Sequence, residues 1–318
     1  MAFSAQNFLK TQIGDAKSKI GQKQALVALS GGVDSSVAAL LVSRAIGKNL
    51  HAVFVDTGLM RLNEAAQVKE AFAKSGLNLQ IINAKKEFLS NLKGASEPEK
   101  KRKIIGKTFI EIFEKYAKGH KIELLVQGTI APDWIESGGA GRDTIKSHHN
   151  VGGLPKNMNL QLYEPLRDLY KHEVRMLAAE LKLPGQICTR QPFPGPGLAV
   201  RIVGEITEEK IEIVQKSCEI VEKEIEKASQ EKNMERPWQY FAAVLDTKTV
   251  GVRGDERSYM YTVVVRAVRS LDGMTANFSH IPPEILEKIS SRITNEVSGV
   301  GRVLYDITNK PPATVELE

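Results

Sequence analysis

The most constraining feature of the sequence is a short polar turn between two apolar runs, LVALSGGVDSSVAALLV at residues 26–42. The first run has the length of a buried strand, and the second begins a helix. Two adjacent glycines in the turn let the backbone adopt conformations that a side chain would block. The first N–H groups of a helix lack partners and attract anions. With the hydroxyls of Ser30, Ser35 and Ser36 added, the turn predicts a phosphate site.

Asp34 lies in the same turn, where a carboxylate would repel phosphate unless a cation lay between them. Mg²⁺ bound by one carboxylate together with phosphate oxygens resolves that conflict. The turn lacks the lysine of the G-x-x-x-x-G-K-S/T loop, so it is a different phosphate-binding device. The alternative is a capped strand–turn–helix without a ligand, which would not need two glycines, an acid and three serines together.

Strands and helices alternate along the first half of the chain. The predicted strands are QALVALS, LHAVFVDT, LNLQIINA and IELLVQGT, and the predicted helices cover residues 5–20, 35–46, 63–76 and 97–118. Single helices between strands are typical of βαβ units, which build a parallel sheet covered on both faces. We therefore expect an α/β fold for this part of the chain.

The pattern changes in the second half of the chain. Residues 128–160 carry no periodic pattern, which is typical of a functional loop or of disorder. A helix at YKHEVRMLAAELKLP follows, and then a connector rich in proline and glycine at residues 190–202. Beyond it, two strands, two helices and a last strand no longer alternate singly, which indicates a small α+β domain. We expect domains at residues 1–190 and 191–318.

Composition narrows the function classes. The 318 residues carry a net charge of +6, from 44 basic and 38 acidic residues. This mild excess suits anionic ligands, but it is too dispersed to predict a nucleic-acid face. We interpret the one basic run, Lys100–Lys103, as a solvated helix face. Two cysteines without a CxxC pair fit a reducing compartment, and with no secretory signal and no membrane-length apolar stretch they predict a cytoplasmic protein without a membrane partner. The dispersed charge predicts no nucleic-acid partner.

The turn at residues 30–36 resembles the SGGxDS pyrophosphate loop of the ATP pyrophosphatases. Enzymes of this class transfer AMP to a substrate oxygen and release pyrophosphate. They include NAD synthetases, argininosuccinate synthetases, tRNA sulfurtransferases, asparagine synthetases and GMP synthetases. The loop alone does not choose among these families.

Seven further segments resemble the GMP synthetases, in the order of that family. They are FVDTGLMRLNEAAQV, VQGTIAPDWIES, IKSHHNVGGLP, EPLRDLYKHEVR, RQPFPGPGLAVRIVGEI, GVRGDERSY and RVLYDITNKPPATVELE. The resemblance implies an adenine-nucleotide-alpha-hydrolase-like domain followed by a domain that forms a homodimer. No glutaminase segment precedes the loop, so the chain is similar to the synthetase subunit of the two-subunit type, which is typical of archaea and takes ammonia from a separate glutamine amidotransferase.

The resemblance also implies the reaction. The C2 oxygen of XMP would attack MgATP to give adenylyl-XMP and pyrophosphate, and ammonia would then displace AMP to give GMP. Catalytic roles are implied for Asp34, Lys146 and Asp133, with Asp34 and Asp133 as Mg²⁺ ligands. The implied ATP-binding residues are Ser30, Gly31, Gly32, Val33, Asp34, Ser35, Ser36, Val55, Arg61, Gly128 and Thr129. The implied XMP-binding residues are Arg190, Arg253, Lys310, Thr314, Glu316, His148 and His149.

Several of these residues have other interpretations. Asp133 could be a helix N-cap, and Arg61 a surface residue at a helix start. The adjacent histidines of the expected lid, residues 128–160, point opposite ways on an extended chain, so they do not predict a metal pair. Terminal charges such as Lys310 and Glu316 ordinarily belong to a frayed tail. The family pattern argues against that here, although Leu317 stands where many relatives have tryptophan.

Two alternatives of different class remain from the sequence. Another ATP pyrophosphatase would share the loop, but a tRNA sulfurtransferase generally needs catalytic cysteines and NAD synthetase lacks the C-terminal domain. A non-catalytic nucleotide sensor on this scaffold could lose Asp34 or Lys146, and both are present.

Overall fold

A computed structural model describes residues 3–131, 160–271 and 273–318. The chain divides into two compact units. Unit 1 contains residues up to Thr57, Asn63–Ala84 and Gly106–Arg190, and unit 2 contains Gly58–Leu62, Lys85–Ile105 and Gln191–Glu318. Two short segments from the first half of the chain therefore belong to the second unit, which a single boundary in sequence does not describe.

The helices in the described residues are α1 (Ala5–Ile20), α2 (Val33–Ile46), α3 (Glu64–Phe72), α4 (Lys85–Leu92), α5 (Pro98–Gly119), α6 (Lys171–Glu180), α7 (Gly185–Cys188), α8 (Glu208–Gln230) and α9 (Pro283–Glu296). The strands in the same residues are β1 (Ala25–Leu29), β2 (Leu50–Asp56), β3 (Leu79–Asn83), β4 (Leu124–Val126), β5 (Gln161–Tyr163), β6 (Gln239–Arg253), β7 (Glu256–Arg269), β8 (Asn277–Phe278) and β9 (Val300–Asp306).

Unit 1 is built on a parallel sheet, as predicted. Across the described residues its strand order is β3-β2-β1-β4-β5, and every pairing is parallel. Val27 of β1 lies opposite both Ala52 and Val126, so the carboxyl ends of β1, β2 and β4 lie at one edge. Helix α2 follows β1, and seven consecutive residues, Ser36–Val42, are buried in it. A helix that is apolar on all sides is part of the core. Because α2 is buried in this way, its first turn is held in place at that edge of the sheet.

Unit 2 is built on a mixed sheet, and residues 191–318 add two long helices to it, in agreement with the predicted α+β domain. Strands β6 and β7 form an antiparallel hairpin, β8 is antiparallel to β7, and β9 runs parallel to β7. Helix α8 packs on β6, and α9 packs on β9 and α8. The inward face predicted for α9 is confirmed, since Ile285, Ile289, Ile293 and Val297 are all buried.

The interpretation of Lys100–Lys103 as a solvated face is wrong for one residue. Lys101 is fully buried, and its Nζ donates to the carbonyl of Ile202 at 2.6 Å and to the Glu318 carboxylate. Burial lowers the pKa of Lys101, and Glu318 opposes that shift. Lys101 lies one helical turn before Ile105, which is also buried. The i, i+4 spacing therefore indicates that Lys101 lies on the buried face of the helix.

Further differences concern two helix boundaries and two short elements. Helix α3 ends at Phe72 rather than at Gly76, and α2 begins at Val33, two residues earlier than predicted. Helix α4 and strand β5 were not predicted, because eight and three residues are too short for a periodic pattern. None of the helices in the described part of the chain combines the length and the apolar composition that crossing a membrane requires.

Candidate functional site

The turn between β1 and α2 has the backbone of an anion site. Gly31 adopts a φ of +77°, and Gly32 is the N-cap of α2 without a side-chain cap. No side chain therefore satisfies the first N–H groups of the helix by capping them. Because the turn also lies at the carboxyl edge of a parallel sheet, it is where open α/β sheets bind ligands.

The three serines of the turn differ in what they contact. Ser36 is fully buried, and its hydroxyl donates to the carbonyl of Gly32 at 2.7 Å. The hydroxyls of Ser30 and Ser35 lie 3.0 Å apart, and Ser30 is exposed. The backbone N–H groups of Ser30 and Gly32 donate to Ser35 Oγ at 3.2 Å and to Ser30 Oγ at 3.3 Å. The Ser35 hydroxyl also donates to the Gly32 carbonyl, at 3.3 Å, so Ser35 and Ser36 both shape the turn, and Ser30 is its exposed serine.

Asp34 presents one engaged and one unengaged carboxylate oxygen. Its Oδ2 accepts from Lys171 Nζ, while its Oδ1 is buried without a hydrogen-bond partner. A buried oxygen of this kind fits a hard cation, and Mg²⁺ commonly takes a single carboxylate together with phosphate oxygens. Within the described residues, no group of three or more His, Cys, Asp and Glu side chains could hold a metal ion, so a cation on Asp34 would take its other ligands from phosphate or water. The sequence prediction missed Lys171, although it lies in the segment EPLRDLYKHEVR.

Gly128 follows β4 and packs against the first turn of α2. A Cβ at this position would lie 2.9 Å from the Asp34 carbonyl carbon and 2.9 Å from the Ser35 nitrogen. Both are backbone atoms, which cannot turn aside as a side chain can. The end of β4 therefore lies close to the turn at residues 30–36, which is called the phosphate turn below after its predicted ligand. Thr129 follows Gly128 directly.

We expect Gly128→Ala to lower the free energy of unfolding by about 1–3 kcal/mol, the ordinary cost of overpacking, and to weaken MgATP binding. The added methyl group must push the turn of Asp34 and Ser35 away from β4. Thermal unfolding and calorimetric titration measure the two effects. Gly106→Ala in α5 is the matched control, because a Cβ there meets nothing within 4 Å. Unchanged stability and ATP affinity in Gly128→Ala would contradict the packing argument.

The residues expected near the adenosine do not all lie in one unit. Val55 is buried at the end of β2 in unit 1, so only its backbone can face a ligand. Arg61 belongs to unit 2, where its Nη2 donates to the Gln191 carbonyl at 3.3 Å. Its guanidinium carbon lies 4.2 Å from the Phe193 ring centroid, and its Nε lies 3.5 Å from Glu222 Oε1. Burial raises the pKa of Glu222, and Arg61 and Arg201 oppose that shift.

Arg190 contacts the phosphate turn itself. Its Nη1 donates to the carbonyl of Gly31 at 3.2 Å and to Glu64 Oε1 at 2.7 Å, and its Nη2 donates to Gln67 Oε1 at 3.1 Å. The structure therefore brings this predicted XMP residue together with the loop predicted for pyrophosphate. The sequence prediction missed Glu64, which lies in the quoted segment FVDTGLMRLNEAAQV but was given no role.

The last residues of the chain are held in unit 2 by buried cations. Arg201 donates from Nε and Nη2 to the two oxygens of Glu316, at 2.9 and 3.0 Å. Arg266 donates to the carbonyls of Thr314 and Val315 at 2.7 and 2.8 Å. Burial alone would lower the pKa of Arg201, but Glu316 beside it raises that pKa. The segment is an anchored part of the unit rather than a frayed tail.

Of the remaining predicted residues, some lie in unit 2 and others lie outside the described part of the chain. Lys310 donates from Nζ to the Gly273 carbonyl at 2.7 Å, and the Thr314 hydroxyl donates to the Glu316 carbonyl. Glu316 Oε1 also accepts from Gln239 at 2.7 Å, so this carboxylate has three donors already. Arg253 lies at the end of β6, where its backbone pairs with Glu256. The predicted residues that lie outside the described part of the chain are Asp133, Lys146, His148 and His149.

Comparison with known proteins identifies relatives over nearly the whole chain. The GMP synthase C terminal domain family matches residues 223–317, and the NAD synthase family matches residues 5–132. The chain is 57% identical to a subunit of the glutamine-hydrolyzing GMP synthase of Thermococcus kodakarensis, over 98% of this chain and 99% of that protein. It is 56% identical to the corresponding protein of Methanocaldococcus jannaschii, over 99% and 100% of the two chains. A GMP synthase of Thermotoga petrophila is 55% identical over 98% of this chain, which covers 62% of that longer protein.

Proposed function

The chain belongs to the family of glutamine-hydrolyzing GMP synthase subunits, and we propose that it makes GMP from XMP, ATP and ammonia. It is a ligase whose first unit carries the ATP pyrophosphatase chemistry. The observation that carries the proposal is the turn at residues 30–36. There a pair of glycines precedes the buried helix α2, and one carboxylate oxygen of Asp34 has no hydrogen-bond partner. The NAD synthase family matches residues 5–132 alone, whereas the match of residues 223–317 favours GMP synthesis.

In the first step, the C2 oxygen of XMP attacks the α-phosphorus of ATP. The bond from that phosphorus to the bridging oxygen breaks, and pyrophosphate leaves with its electrons. The backbone N–H groups at the start of α2 and the hydroxyls of Ser30 and Ser35 stabilise the charge that develops on the pyrophosphate. Asp34 would hold Mg²⁺, which supplies neutralisation of phosphate charge when bound. Such positioning and neutralisation are the main contributions of a protein to nucleotidyl transfer.

In the second step, ammonia attacks C2 of the adenylated purine. The C2–O bond breaks, AMP leaves with the oxygen that came from XMP, and the nitrogen loses its one extra proton to water. We assign Asp133 and Lys146 to the reacting centre on the family resemblance, together with the lid that contains His148 and His149. The purine and phosphate of XMP would be bound by Arg190, Arg253, Lys310, Thr314 and Glu316.

Ammonia would come from a separate glutamine amidotransferase, as the glutamine-hydrolyzing name of these relatives indicates. The test is a product assay on the purified chain with MgATP and XMP, supplied with ammonium at alkaline pH or with glutamine. We expect GMP, AMP and pyrophosphate with ammonium and none of these products with glutamine. GMP formed from glutamine would contradict the need for a partner. No GMP from either source would contradict the proposed function of the isolated chain.

A homodimer would form through unit 2. Val252 and Tyr259 of the β6–β7 hairpin are 72% and 71% exposed, and Val250, which lies directly opposite Tyr259, is 49% exposed. Large apolar side chains that share one face of a hairpin mark an interaction surface. A second copy of the chain is the occupant that the family resemblance implies.

We expect Val252→Glu to halve the mass in solution, measured by light scattering after size exclusion. A buried carboxylate without a partner is too costly to keep in an interface. Thr247→Glu is the matched control, because Thr247 is an exposed residue of the same strand that lacks a cross-strand partner in the β6–β7 register. A monomeric unmodified chain, or an unchanged mass in Val252→Glu, would contradict this interface.

We further assign residues 1–190 to nucleotide activation, residues 191–318 to dimerisation and XMP binding, and the chain to the cytoplasm. The free thiols of Cys188 and Cys218 support a reducing compartment.

A further inference from the structure

Glu64 is a buried carboxylate for which the reaction above has no role. It is the first residue of α3, its side chain is 1% exposed, and its Oε1 lies 2.7 Å from Arg190 Nη1. A carboxylate this deeply buried is costly unless a cation and hydrogen bonds compensate for the lost water. Arg190 supplies that compensation and, through the same nitrogen, also donates to the carbonyl of Gly31.

The pair lies so close to Gly31 that a side chain there would have to displace it. A Cβ there would lie 2.8 Å from Glu64 Oε1 and 3.1 Å from Arg190 Nη1, and Gly31 has a φ of +77°. The ion pair and the turn therefore fit each other, and glycine is the residue that allows the fit.

The contact with Gly31 also fixes the direction of a peptide group. In a trans peptide the C=O and the following N–H point opposite ways. Since the carbonyl of Gly31 is directed to Arg190, the N–H of Gly32 is directed away from Arg190, toward Ser30 Oγ at 3.3 Å. A reversed peptide would present a carbonyl oxygen to the pyrophosphate and repel it.

Arg190 keeps hydrogen-bonding capacity for a second ligand. A guanidinium has five N–H donors, and the contacts with Gly31, Glu64 and Gln67 use three of them. The Nε–H and one Nη2 hydrogen are left over by these contacts. Both could donate to a phosphate, as the XMP role of Arg190 requires.

We propose that Glu64 is a positioning residue that acts through Arg190 and couples the binding of XMP to the binding of ATP. The inference rests on the proposed function and adds to it. The XMP phosphate holds Arg190, Arg190 holds the carbonyl of Gly31, and the phosphate turn is thereby kept in its binding form. Each nucleotide then raises the affinity for the other by the same factor, because coupling between two sites is reciprocal.

The test compares Glu64→Gln with Glu70→Gln, which removes the same charge from an exposed position of the same helix. Calorimetry measures the dissociation constant of a non-hydrolysable MgATP analogue with and without XMP. We expect the unmodified chain to bind the analogue at least about fivefold more tightly with XMP. We expect Glu64→Gln to weaken binding about tenfold, as the loss of a charge-assisted hydrogen bond would, and to abolish the effect of XMP. Glu70→Gln should match the unmodified chain.

A purely structural role would lower the melting temperature of Glu64→Gln and leave the XMP effect intact, which would overturn the proposal. Equal constants in Glu64→Gln and Glu70→Gln would also overturn it. If Glu64→Gln does not fold, Gln67→Ala decides, because it removes one acceptor of Arg190 at an exposed position. An unchanged XMP effect in Gln67→Ala would then reject the coupling. GMP formation by the unmodified chain is measured on the same preparation, so that failure of the proposed function is seen separately.

Discussion

Asp34→Asn is expected to reduce the rate of GMP formation by about 10³-fold, equivalent to about 4 kcal/mol of transition-state stabilisation. Asparagine keeps the shape of the side chain but removes its charge. The buried, unengaged Oδ1 of Asp34 would then be a neutral oxygen or an amide group, and neither holds Mg²⁺ beside phosphates. The salt bridge of Asp34 with Lys171 is partly exposed, so its loss should change stability little. The rate is measured with ammonium, XMP and saturating MgATP.

Asp15→Asn is the control for the loss of one carboxylate in the same unit. Asp15 pairs with Lys19 in α1 and accepts from the Tyr163 hydroxyl at 3.0 Å, and an asparagine oxygen can still accept there. We expect this variant to keep its rate within about twofold, because a change away from the site leaves transition-state binding intact. An Asp34→Asn variant with a rate near that of the unmodified chain would show that Asp34 does not hold the metal.

Arg266→Met is expected to lower the free energy of unfolding by about 3–5 kcal/mol, the usual effect of removing one partner from a buried ion pair. Arg266 is fully buried, and its Nη1 donates to Asp306 at 2.6 Å and to the Thr308 carbonyl at 3.0 Å. It also holds the carbonyls of Thr314 and Val315. Methionine would remove the Arg266 donors from these acceptors, and the Asp306 carboxylate would keep only the Thr308 N–H among the donors named here. The KM for XMP should rise as well, because the anchored segment carries Glu316.

Arg302→Met is the matched control on the neighbouring strand β9. Arg302 is exposed and donates to the Thr249 hydroxyl at 3.3 Å, so its replacement should change stability by no more than about 0.5 kcal/mol. Denaturant unfolding measures both variants. If Arg266→Met were as stable as Arg302→Met, Arg266 would not be the anchor of the C-terminal segment.

The main elements of the fold were predictable because their apolar patterns are long. The stripe of Ile285, Ile289 and Ile293 predicted the buried face of α9, and the apolar run of β1 predicted a buried strand. Strand β5 has only three residues, and two of them are exposed, so no pattern identifies it. The phosphate turn was predictable for another reason. Two glycines, an acid and three serines between a strand and a helix indicate an anion site, and this inference needs no knowledge of the tertiary structure.

The partners of the site residues were not predictable in the same way. Glu64 and Arg190 are 126 positions apart, Lys171 and Asp34 are 137 apart, and Arg201 and Glu316 are 115 apart. Local patterns say nothing about which charges meet over such separations. Lys101 shows the same limit for its partner, since the spacing to buried Ile105 indicates a buried position but not the distant carboxylate of Glu318.

The most direct test of the central claim follows the oxygen at C2 of XMP. XMP labelled with ¹⁸O at that position is converted with MgATP and ammonium, and the products are examined by mass spectrometry or ³¹P NMR. If this oxygen attacks the α-phosphorus and AMP then leaves from C2, the label appears in the phosphate of AMP and not in pyrophosphate. Label released into water or found in pyrophosphate would contradict activation of XMP by adenylyl transfer.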